Sequence, residues 1–258
     1  MTSEGLERLT ALRVVVGHRC NQRCSFCYQR RRDGGLMTAP ELAAVLHGLP
    51  SVFAPRFVTL MGGEPTLCPD LPAMVSDLSA RFPAAELSVT SNGTATAAAY
   101  LDLARRGAAN LTFSLSTLDP VRYPKITGQR AQTLETYLAK ILQVRGETRA
   151  SVRLNVYASA DEVDALFRFA KLHALRLTFC EDLVSGDRAR AQGLRPPRGT
   201  RVAVDDSLRR IYRDADGFEA WQYKHLDGFA DYQNLIVLPD GTLSLDFADV
   251  LAQRGARS

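Results

Sequence analysis

Short apolar runs that alternate with helical patterns constrain the fold of this 258-residue chain more than any other feature. Such alternation is typical of repeated strand-helix units that build a parallel sheet. A chain of this length buries about three quarters of its unfolded surface in one core, so a single barrel-sized α/β domain is expected. Six strands are predicted: Leu12 to Val16, Phe57 to Met61, Leu87 to Ser91, Leu111 to Ser116, Val152 to Tyr157 and Leu175 to Cys180.

The predicted strands have two distinct faces, because successive side chains of a strand point to opposite sides. A closed eight-stranded barrel fills its interior mainly with branched apolar side chains. Here one face is polar, which predicts a partial (β/α)6 barrel of the TIM type with a polar interior. An antiparallel sheet with one solvated face is the alternative, and the helical segments between the strands disfavour it. The apolar face holds Leu111, Phe113, Leu115, Val152, Leu154, Val156, Leu175, Leu177 and Phe179. The polar face holds Ser88, Thr90, Thr112, Ser114, Ser116, Arg153, Asn155, Tyr157, Arg176, Thr178 and Cys180.

Local signals predict helix ends and a division of the chain. Residues 1–186 are expected to form the barrel core, and residues 187–258 a short extension that packs on it. Within that part of the chain we predict an irregular segment from Ser185 to Val204, a short helix from Asp206 to Arg213 and a β-hairpin from Leu235 to Leu245. Capping boxes are predicted for Thr38 with Glu41 and Ser159 with Glu162, and left-handed C-caps for Gly107 and Gly146.

Charge and composition exclude several classes of protein. The net charge is +4 with no long block of one sign, so nucleic acid is not an expected partner, whereas a small anion is compatible. The polar N-terminus has no apolar signal stretch, and no run reaches membrane-spanning length. Five cysteines, three of them within eight residues, are a poor disulfide framework and suit a reducing compartment. A cytoplasmic location is expected.

Cys20, Cys24 and Cys27 form a Cys-x3-Cys-x2-Cys motif directly after the first strand, at the edge where parallel barrels place their active sites. Three thiolates on so short a loop can hold three corners of one iron-sulfur cube and leave one iron open for a ligand. Three alternatives remain. His18 could complete a zinc site, the three thiols could be unrelated, or Cys68 or Cys180 could close a cluster that only transfers electrons.

Behind this motif the sequence resembles the radical S-adenosylmethionine (SAM) superfamily over roughly residues 11 to 186. Its segment order is similar to that of the GTP 3',8-cyclase family of molybdenum-cofactor biosynthesis, MoaA. The resemblance implies one [4Fe-4S] cluster on the three cysteines, with SAM bound to the open iron. The segments that carry it are Arg19-Cys20-Asn21, Phe26, Gly62-Gly63-Glu64-Pro65, Thr90-Ser91-Asn92-Gly93, Ser114 to Pro120, Ile126-Thr127-Gly128, Leu154-Asn155-Val156 and Phe179 to Leu183.

Roles for individual residues follow from the same resemblance. Phe26 is expected to pack beside the SAM adenine, Ser114 to touch SAM, and the Gly-Gly-Glu-Pro motif to contact the SAM amino group. The candidate cofactor-binding residues are Phe26, Gly62, Gly63, Glu64, Pro65, Thr90, Ser91, Asn92, Ser114, Arg153, Asn155 and Leu183.

Two departures from the MoaA pattern bear on the substrate. MoaA carries a second cysteine triplet near its C-terminus, whereas this sequence has no cysteine after Cys180. Phe57 and Thr59 stand where that family has basic residues that help to hold a triphosphate. GTP cyclisation is therefore not expected, and one cluster is.

Polar residues of the predicted interior are candidates for the chemistry. A guanidinium fork fits a carboxylate or phosphate, which makes Arg19 a candidate beside the cluster. Arg153 and Arg176 are predicted to be buried without acidic partners, so that a bound anion, of the substrate or of SAM itself, would neutralise them. Tyr157 is a candidate hydrogen-bonding residue. Cys180 is a candidate hydrogen-atom donor, with a small buried side chain as the alternative.

The resemblance implies that SAM is cleaved reductively to a 5'-deoxyadenosyl radical, which takes a hydrogen atom from the substrate. The expected substrate is a small polar, anionic molecule such as a nucleotide, sugar or amino-acid derivative. Rearrangement, cyclisation, dehydrogenation and epimerisation all fit. An external one-electron donor such as flavodoxin or ferredoxin is expected. Peptide modification and plain electron transfer remain the alternatives.

Overall fold

A single extended sheet organises the protein in the computed structural model, which describes residues 9–27, 35–129, 132–157, 161–180, 196–205, 209–223 and 234–245. Its order is β11-β10-β1-β2-β3-β4-β5-β6-β9-β8-β7, and its two edges do not meet. The strands are β1 Ala11–Val15, β2 Phe57–Met61, β3 Glu86–Ser91, β4 Asn110–Ser114, β5 Ser151–Val156, β6 Arg176–Phe179, β7 Thr200–Asp205, β8 Arg209–Asp214, β9 Glu219–Tyr223, β10 Asn234–Val237 and β11 Leu243–Ser244.

Strands β1 to β6 are parallel neighbours in chain order, and helices fill each connection. The helices are α1 Ala39–Gly48, α2 Leu71–Arg81, α3 Ala97–Arg105, α4 Arg122–Thr127, α5 Leu134–Glu147 and α6 Val163–Leu172, with a 3-10 turn at Pro65–Leu67. This is the half-open (β/α)6 arrangement predicted from the sequence. Every predicted strand is present, within two residues of its predicted bounds.

The apolar face predicted for β4, β5 and β6 packs under the helices, since each of its nine side chains is at most 2% exposed. The polar face is continuous across the sheet because neighbouring strands are in register. Ser114, Asn155, Thr178 and Trp221 are successive partners on β4, β5, β6 and β9. Their side chains therefore share one layer at the carboxyl ends of the strands, where the active site of a barrel is expected.

Strands from the predicted extension lengthen the sheet at both edges. The β7-β8-β9 meander adds to β6, with β9 parallel to it, and the β10-β11 hairpin adds to β1, with β10 parallel to it. The predicted hairpin is thus confirmed. The predicted helix is not: of residues 206–213, the described part, 209–213, belongs to β8. Thr200 to Val204, predicted irregular, lie in β7.

Helix ends follow local capping chemistry in part. Thr38 caps α1 with a capping box, in which its hydroxyl accepts from the Glu41 amide and the Glu41 carboxylate accepts from the Thr38 amide. Gly107 follows α3 with φ +116°. Gly146 is not a C-cap, because α5 continues through it. Ser159 lies outside the described residues, and α6 begins at Val163.

Candidate active site

The cysteine loop leaves β1 and runs along the end of α4. The Arg23 amide donates to Thr127 O at 2.8 Å and the Ser25 amide to Ile126 O at 2.9 Å, so two segments that the sequence placed in separate motifs pair directly. Gly128 caps α4 with φ +63°, and a Cβ there would lie 3.0 Å from Arg23 Cβ. This pairing fixes the cysteine loop to the end of α4 by backbone hydrogen bonds.

All five cysteines are reduced thiols, and the three of the loop are half-buried. The Cys20 sulfur accepts from the Gln22 amide at 3.4 Å and from Asn92 Nδ2 at 3.7 Å. N–H donors around a sulfur favour its thiolate form. Three adjacent thiols, with donors already directed at one of them, fit the ligand set of a [4Fe-4S] cluster. Within the described residues, no three His, Cys, Asp or Glu side chains are grouped closely enough to hold a single metal ion.

Cys68 has a different environment from these three. It is 4% exposed, its thiol donates to Met37 O at 3.3 Å, and burial raises its pKa. It packs in the main hydrophobic core beneath α1 and α2. The alternative in which Cys68 closes the cluster is therefore not supported by its position.

The Gly-Gly-Glu-Pro segment lies directly against the cysteine loop. The Gly63 amide donates to Gly17 O and the Glu64 amide to Arg19 O, both at 2.8 Å. A Cβ on Gly63 would lie 2.2 Å from Arg19 O, closer than any real contact. Glycine is needed at this position because two backbones meet there, not because of its φ angle. The backbone that follows the first strand and the backbone that follows the second thus form one cradle.

The Glu64 carboxylate links this cradle to the end of β3. It is 1% exposed and accepts four hydrogen bonds, from the Thr66 amide and hydroxyl, from the Ser91 hydroxyl and from the Asn92 amide, at 2.6 to 3.0 Å. Burial raises the pKa of Glu64, and these hydrogen bonds act in the opposite direction. Three of these hydrogen bonds end on Oε1 and one, from the Asn92 amide, ends on Oε2. The contribution of the carboxylate to the site is to fix two loops.

The Thr90-Ser91-Asn92-Gly93 segment continues the same network. Asn92 Nδ2 donates to Asn21 Oδ1 at 2.8 Å, which ties the end of β3 to the cysteine loop. Ser91 Oγ also shares a hydrogen bond with the Tyr100 hydroxyl at 2.7 Å, and burial raises the pKa of that phenol. Gly93 has φ +74° and lies against the Tyr137 ring. Thr90 lies half-buried on the polar face of β3.

Phe26 and Tyr157 stack on one another, with ring centroids 4.3 Å apart and planes 18° apart. The pair connects the cysteine loop to the end of β5. Asn155 and Ser114 lie half-buried in the polar layer one strand apart, and the Ser114 carbonyl accepts from the Tyr137 hydroxyl at 2.8 Å. The structure thus brings together at one edge the predicted residues of the cysteine loop, of the β2 and β3 loops and of β4 and β5.

The two predicted interior arginines differ. Arg153 is half-buried with its guanidinium 5.7 Å from the centroid of the Trp221 ring, a cation–π contact. Arg176 is the register partner of Arg153 on the neighbouring strand, but its side chain is 59% exposed and its Nη1 lies 3.9 Å from Glu86 Oε1. The prediction of a buried Arg176 without an acidic partner is therefore wrong. The first position of β6 places this side chain at the amino-terminal end of that strand.

Two further predicted residues, Cys180 and Arg19, lie around the edge. Cys180 follows β6 and is 9% exposed, and its amide donates to Val156 O at 2.8 Å. The Arg19 side chain is exposed, while its carbonyl takes part in the cradle. Leu183 lies outside the described residues. Trp221 and Gln22 were not singled out from the sequence, since β9 was not predicted and Gln22 stands at a variable position of the cysteine motif.

Comparison with known proteins agrees with this geometry. The model of the radical SAM superfamily matches residues 14–170, more than half of the chain. The protein therefore belongs to the radical SAM superfamily. It is an enzyme of that class, with a [4Fe-4S] cluster and SAM as cofactors.

Its relatives include GTP 3',8-cyclase 1 of Pseudomonas aeruginosa, 32% identical over 192 residues that make up 70% of this chain and 57% of that protein. The probable GTP 3',8-cyclase of Sulfolobus acidocaldarius is 29% identical over 62% of this chain and 51% of that protein. The chain thus spans about half the length of these relatives, and it is MoaA-like in the part that matches.

Solved structures share the fold at low identity. SuiB of Streptococcus suis in complex with its precursor peptide SuiA superposes with a TM-score of 0.67 at 14% identity, over 97% of this chain and 61% of that one. SuiB with SAM bound gives a TM-score of 0.59 at 17% identity, over 70% of this chain and 43% of that one. No described helix has the length and hydropathy needed to cross a bilayer.

Proposed function

We propose that this radical SAM enzyme binds a small polar, anionic substrate in the polar interior of its half-open barrel. Cys20, Cys24 and Cys27 would hold the cluster, which supplies the electron for reductive cleavage of SAM when bound. The Gly62 to Pro65 cradle, Phe26 and the polar edge residues Thr90, Ser91, Asn92, Ser114 and Asn155 would hold SAM. The protein's own share is to align the reactants and to keep water from the radical.

The surroundings of the Arg153 guanidinium are the observation that supports an anionic substrate. No described carboxylate lies within salt-bridge distance of its guanidinium, which instead faces the Trp221 ring. A half-buried cation beside an aromatic wall is stabilised by an incoming anion, because burial disfavours an uncompensated charge. Thr178, Asn155 and Ser114 continue the same polar face with uncharged side chains, so a polar molecule of modest size fits it.

The competing role for Arg153 is to hold the SAM carboxylate. An Arg153→Gln variant distinguishes the two. The variant is compared with the unchanged protein under anaerobic conditions, both with a reconstituted cluster. SAM affinity and substrate-free release of 5'-deoxyadenosine should agree within about twofold. Such a change is much smaller than the effect of losing one hydrogen bond to a charged group. Stimulation of that release by the substrate should be lost. A large fall in SAM affinity would instead assign Arg153 to the cofactor.

The substrate can be sought by following deuterium. Labelled metabolites of each anionic class are incubated with enzyme, SAM and a reductant such as flavodoxin, and 5'-deoxyadenosine is examined for deuterium. Transfer from a small anion supports the proposal. Transfer only from labelled peptides supports peptide modification, and a reduced cluster that never cleaves SAM supports plain electron transfer.

Arg19 remains a candidate to pair with an anionic group of the substrate, Tyr157 to form a hydrogen bond in the site, and Cys180 to donate a hydrogen atom to the substrate radical. Cys180 lies at the carboxyl end of β6, where a thiol can return a hydrogen atom to a substrate radical, as epimerisation requires. A Cys180→Ser variant that turns over at the normal rate would exclude that role. Tyr157 stacks on Phe26 and so borders both the cysteine loop and the interior.

A further inference from the structure

Gln22, between the first two cysteines, carries an unusual buried amide. The residue is 3% exposed, and its Oε1 accepts from the Cys24 thiol at 3.3 Å. Its Nε2 is buried and has no hydrogen-bond partner among the residues that the structure describes. Buried polar atoms are almost always paired, and one that is not calls for a physical explanation. This donor lies on the loop that binds the cluster.

Binding of iron changes the Cys24 sulfur from a hydrogen-bond donor to a hydrogen-bond acceptor. A cysteine ligand of iron is a thiolate, so it accepts hydrogen bonds and has no proton to donate. The contact between Gln22 Oε1 and the Cys24 sulfur would then oppose an amide oxygen and a negative sulfur. The two ends of a glutamine amide occupy nearly the same volume. Rotation of that amide by half a turn directs Nε2–H to the sulfur and removes both the repulsion and the unpaired donor.

The neighbours of Gln22 suit the rotated amide. The Tyr123 hydroxyl is within reach of the Gln22 side chain, and it accepts from Gln132 Nε2 at 3.1 Å. Its own proton is therefore available for the rotated Gln22 Oε1. Gln132 Oε1 in turn accepts from Lys140 Nζ at 2.9 Å. A chain of donors then runs from the ammonium of Lys140 through Gln132, Tyr123 and Gln22 to the Cys24 sulfur, each link polarising the next.

We propose that Gln22 donates a hydrogen bond to the Cys24 sulfur of the loaded cluster and, with Tyr123, Gln132 and Lys140 behind it, raises the reduction potential of that cluster. Hydrogen bonds to ligand sulfurs stabilise the more negative, reduced state. Gln22 is thus a positioning residue that acts through its neighbour. The inference rests on the cluster cofactor and not on the substrate proposed above, so the two can fail separately.

The test is the midpoint potential of the reconstituted cluster without SAM, measured by redox titration followed by electron paramagnetic resonance. Gln22→Leu keeps a side chain of similar volume and removes the amide. At the wild-type midpoint potential, the ratio of reduced to oxidised cluster should fall by up to about tenfold in this variant, which corresponds to a negative shift of the midpoint potential of about 59 mV for a one-electron couple. Tyr123→Phe should shift the potential in the same direction by less. Gln143→Leu, on the outer face of α5, is the matched control and should leave it unchanged.

An unchanged midpoint potential in Gln22→Leu would overturn the proposal, whatever the effect on turnover. If Gln22→Leu fails to take up iron, Tyr123→Phe decides the question. Phenylalanine preserves the packing of this buried ring and removes only the hydroxyl. A negative shift in that variant supports the donor chain, and a wild-type potential rejects it.

Discussion

The two walls of the active site are built by different means. The segments after β1, β2 and β3, which we propose hold the cofactors and call the cofactor wall, are fixed by main-chain contacts and by one buried carboxylate with four hydrogen bonds. Strands β5, β6 and β9, which we propose bind the substrate and call the substrate wall, present side chains such as Arg153 and Trp221 from strands in register. Backbone geometry suits a cofactor that never changes, whereas side chains can be replaced to suit a new substrate.

Gly63→Ala should break the cofactor wall and have the largest effect. Its Cβ would lie 2.2 Å from Arg19 O and 2.5 Å from His18 O, so one backbone segment must move. Overpacking of this kind typically costs about 1–3 kcal/mol and here displaces the cysteine loop itself. We expect iron content after reconstitution and SAM binding to be largely lost.

Gly146→Ala is the matched control for that change. Gly146 lies in α5, and no atom of the described residues stands within 4 Å of the position that an alanine methyl would take. Alanine should therefore stabilise the helix by about 0.5–1 kcal/mol. Iron content should be normal. A Gly63→Ala protein that binds iron and SAM as well as this control would show that the two backbones do not need their close approach.

Glu64→Gln should have an intermediate effect on the same wall. An amide presents an oxygen at one end only, so its NH2 group must face a donor at Thr66 or at Asn92. Hydrogen bonds to a charged group contribute roughly 1.5–3 kcal/mol each, and a loss of about 2–4 kcal/mol is expected. Urea unfolding of the cofactor-free protein measures it. Exposed Glu135→Gln should change stability by less than about 0.5 kcal/mol. Equal stability of the two variants would contradict the linking role of Glu64.

The smallest expected effect is a pH-dependent contribution of one ion pair to the stability of the β7-β8-β9 meander, which borders the substrate wall. Lys171 of α6 forms ion pairs with Asp214 and Asp216 beside the end of β8, and the Lys171 side chain lowers the pKa of Asp214 below its ordinary value of 3.8. A lowered folded pKa means that the pair stabilises the meander above pH 3.8 and that this stabilisation is lost as the pH falls below it.

Trp221, the only tryptophan of the chain, reports on this wall by its fluorescence. Wild-type protein should keep its folded Trp221 signal to a slightly higher temperature than Lys171→Met at neutral pH, and the difference should vanish in acid. A difference that grows in acid would reverse the assignment. Iron binding should be the same in both proteins, because the cofactor wall contains neither residue.

The cofactor wall was predictable from the sequence, and the substrate wall was not. Cysteine spacing and glycine motifs report local backbone requirements, so the sequence alone could place Cys20, Gly63 and Asn92 together. Strand periodicity likewise predicted β1 to β6, since burial of one face imposes a pattern of period two. The strands β7 to β9 gave no such signal. They extend the edge of an existing sheet, and their positions depend on β6 rather than on their own sequence.

Sequence by itself determined the half-open barrel, the grouping of three cysteines on one loop and the polarity of the interior, because each depends on short-range spacing or strand parity. Only the tertiary structure decided that Arg153 faces Trp221 while Arg176 reaches solvent and Glu86, and that the buried Glu64 carboxylate accepts four hydrogen bonds from two loops. It also brought Tyr123 to Gln22, and Gln132 to Tyr123. Those contacts join residues far apart in the chain, and no local pattern records which of them the packing will bring together.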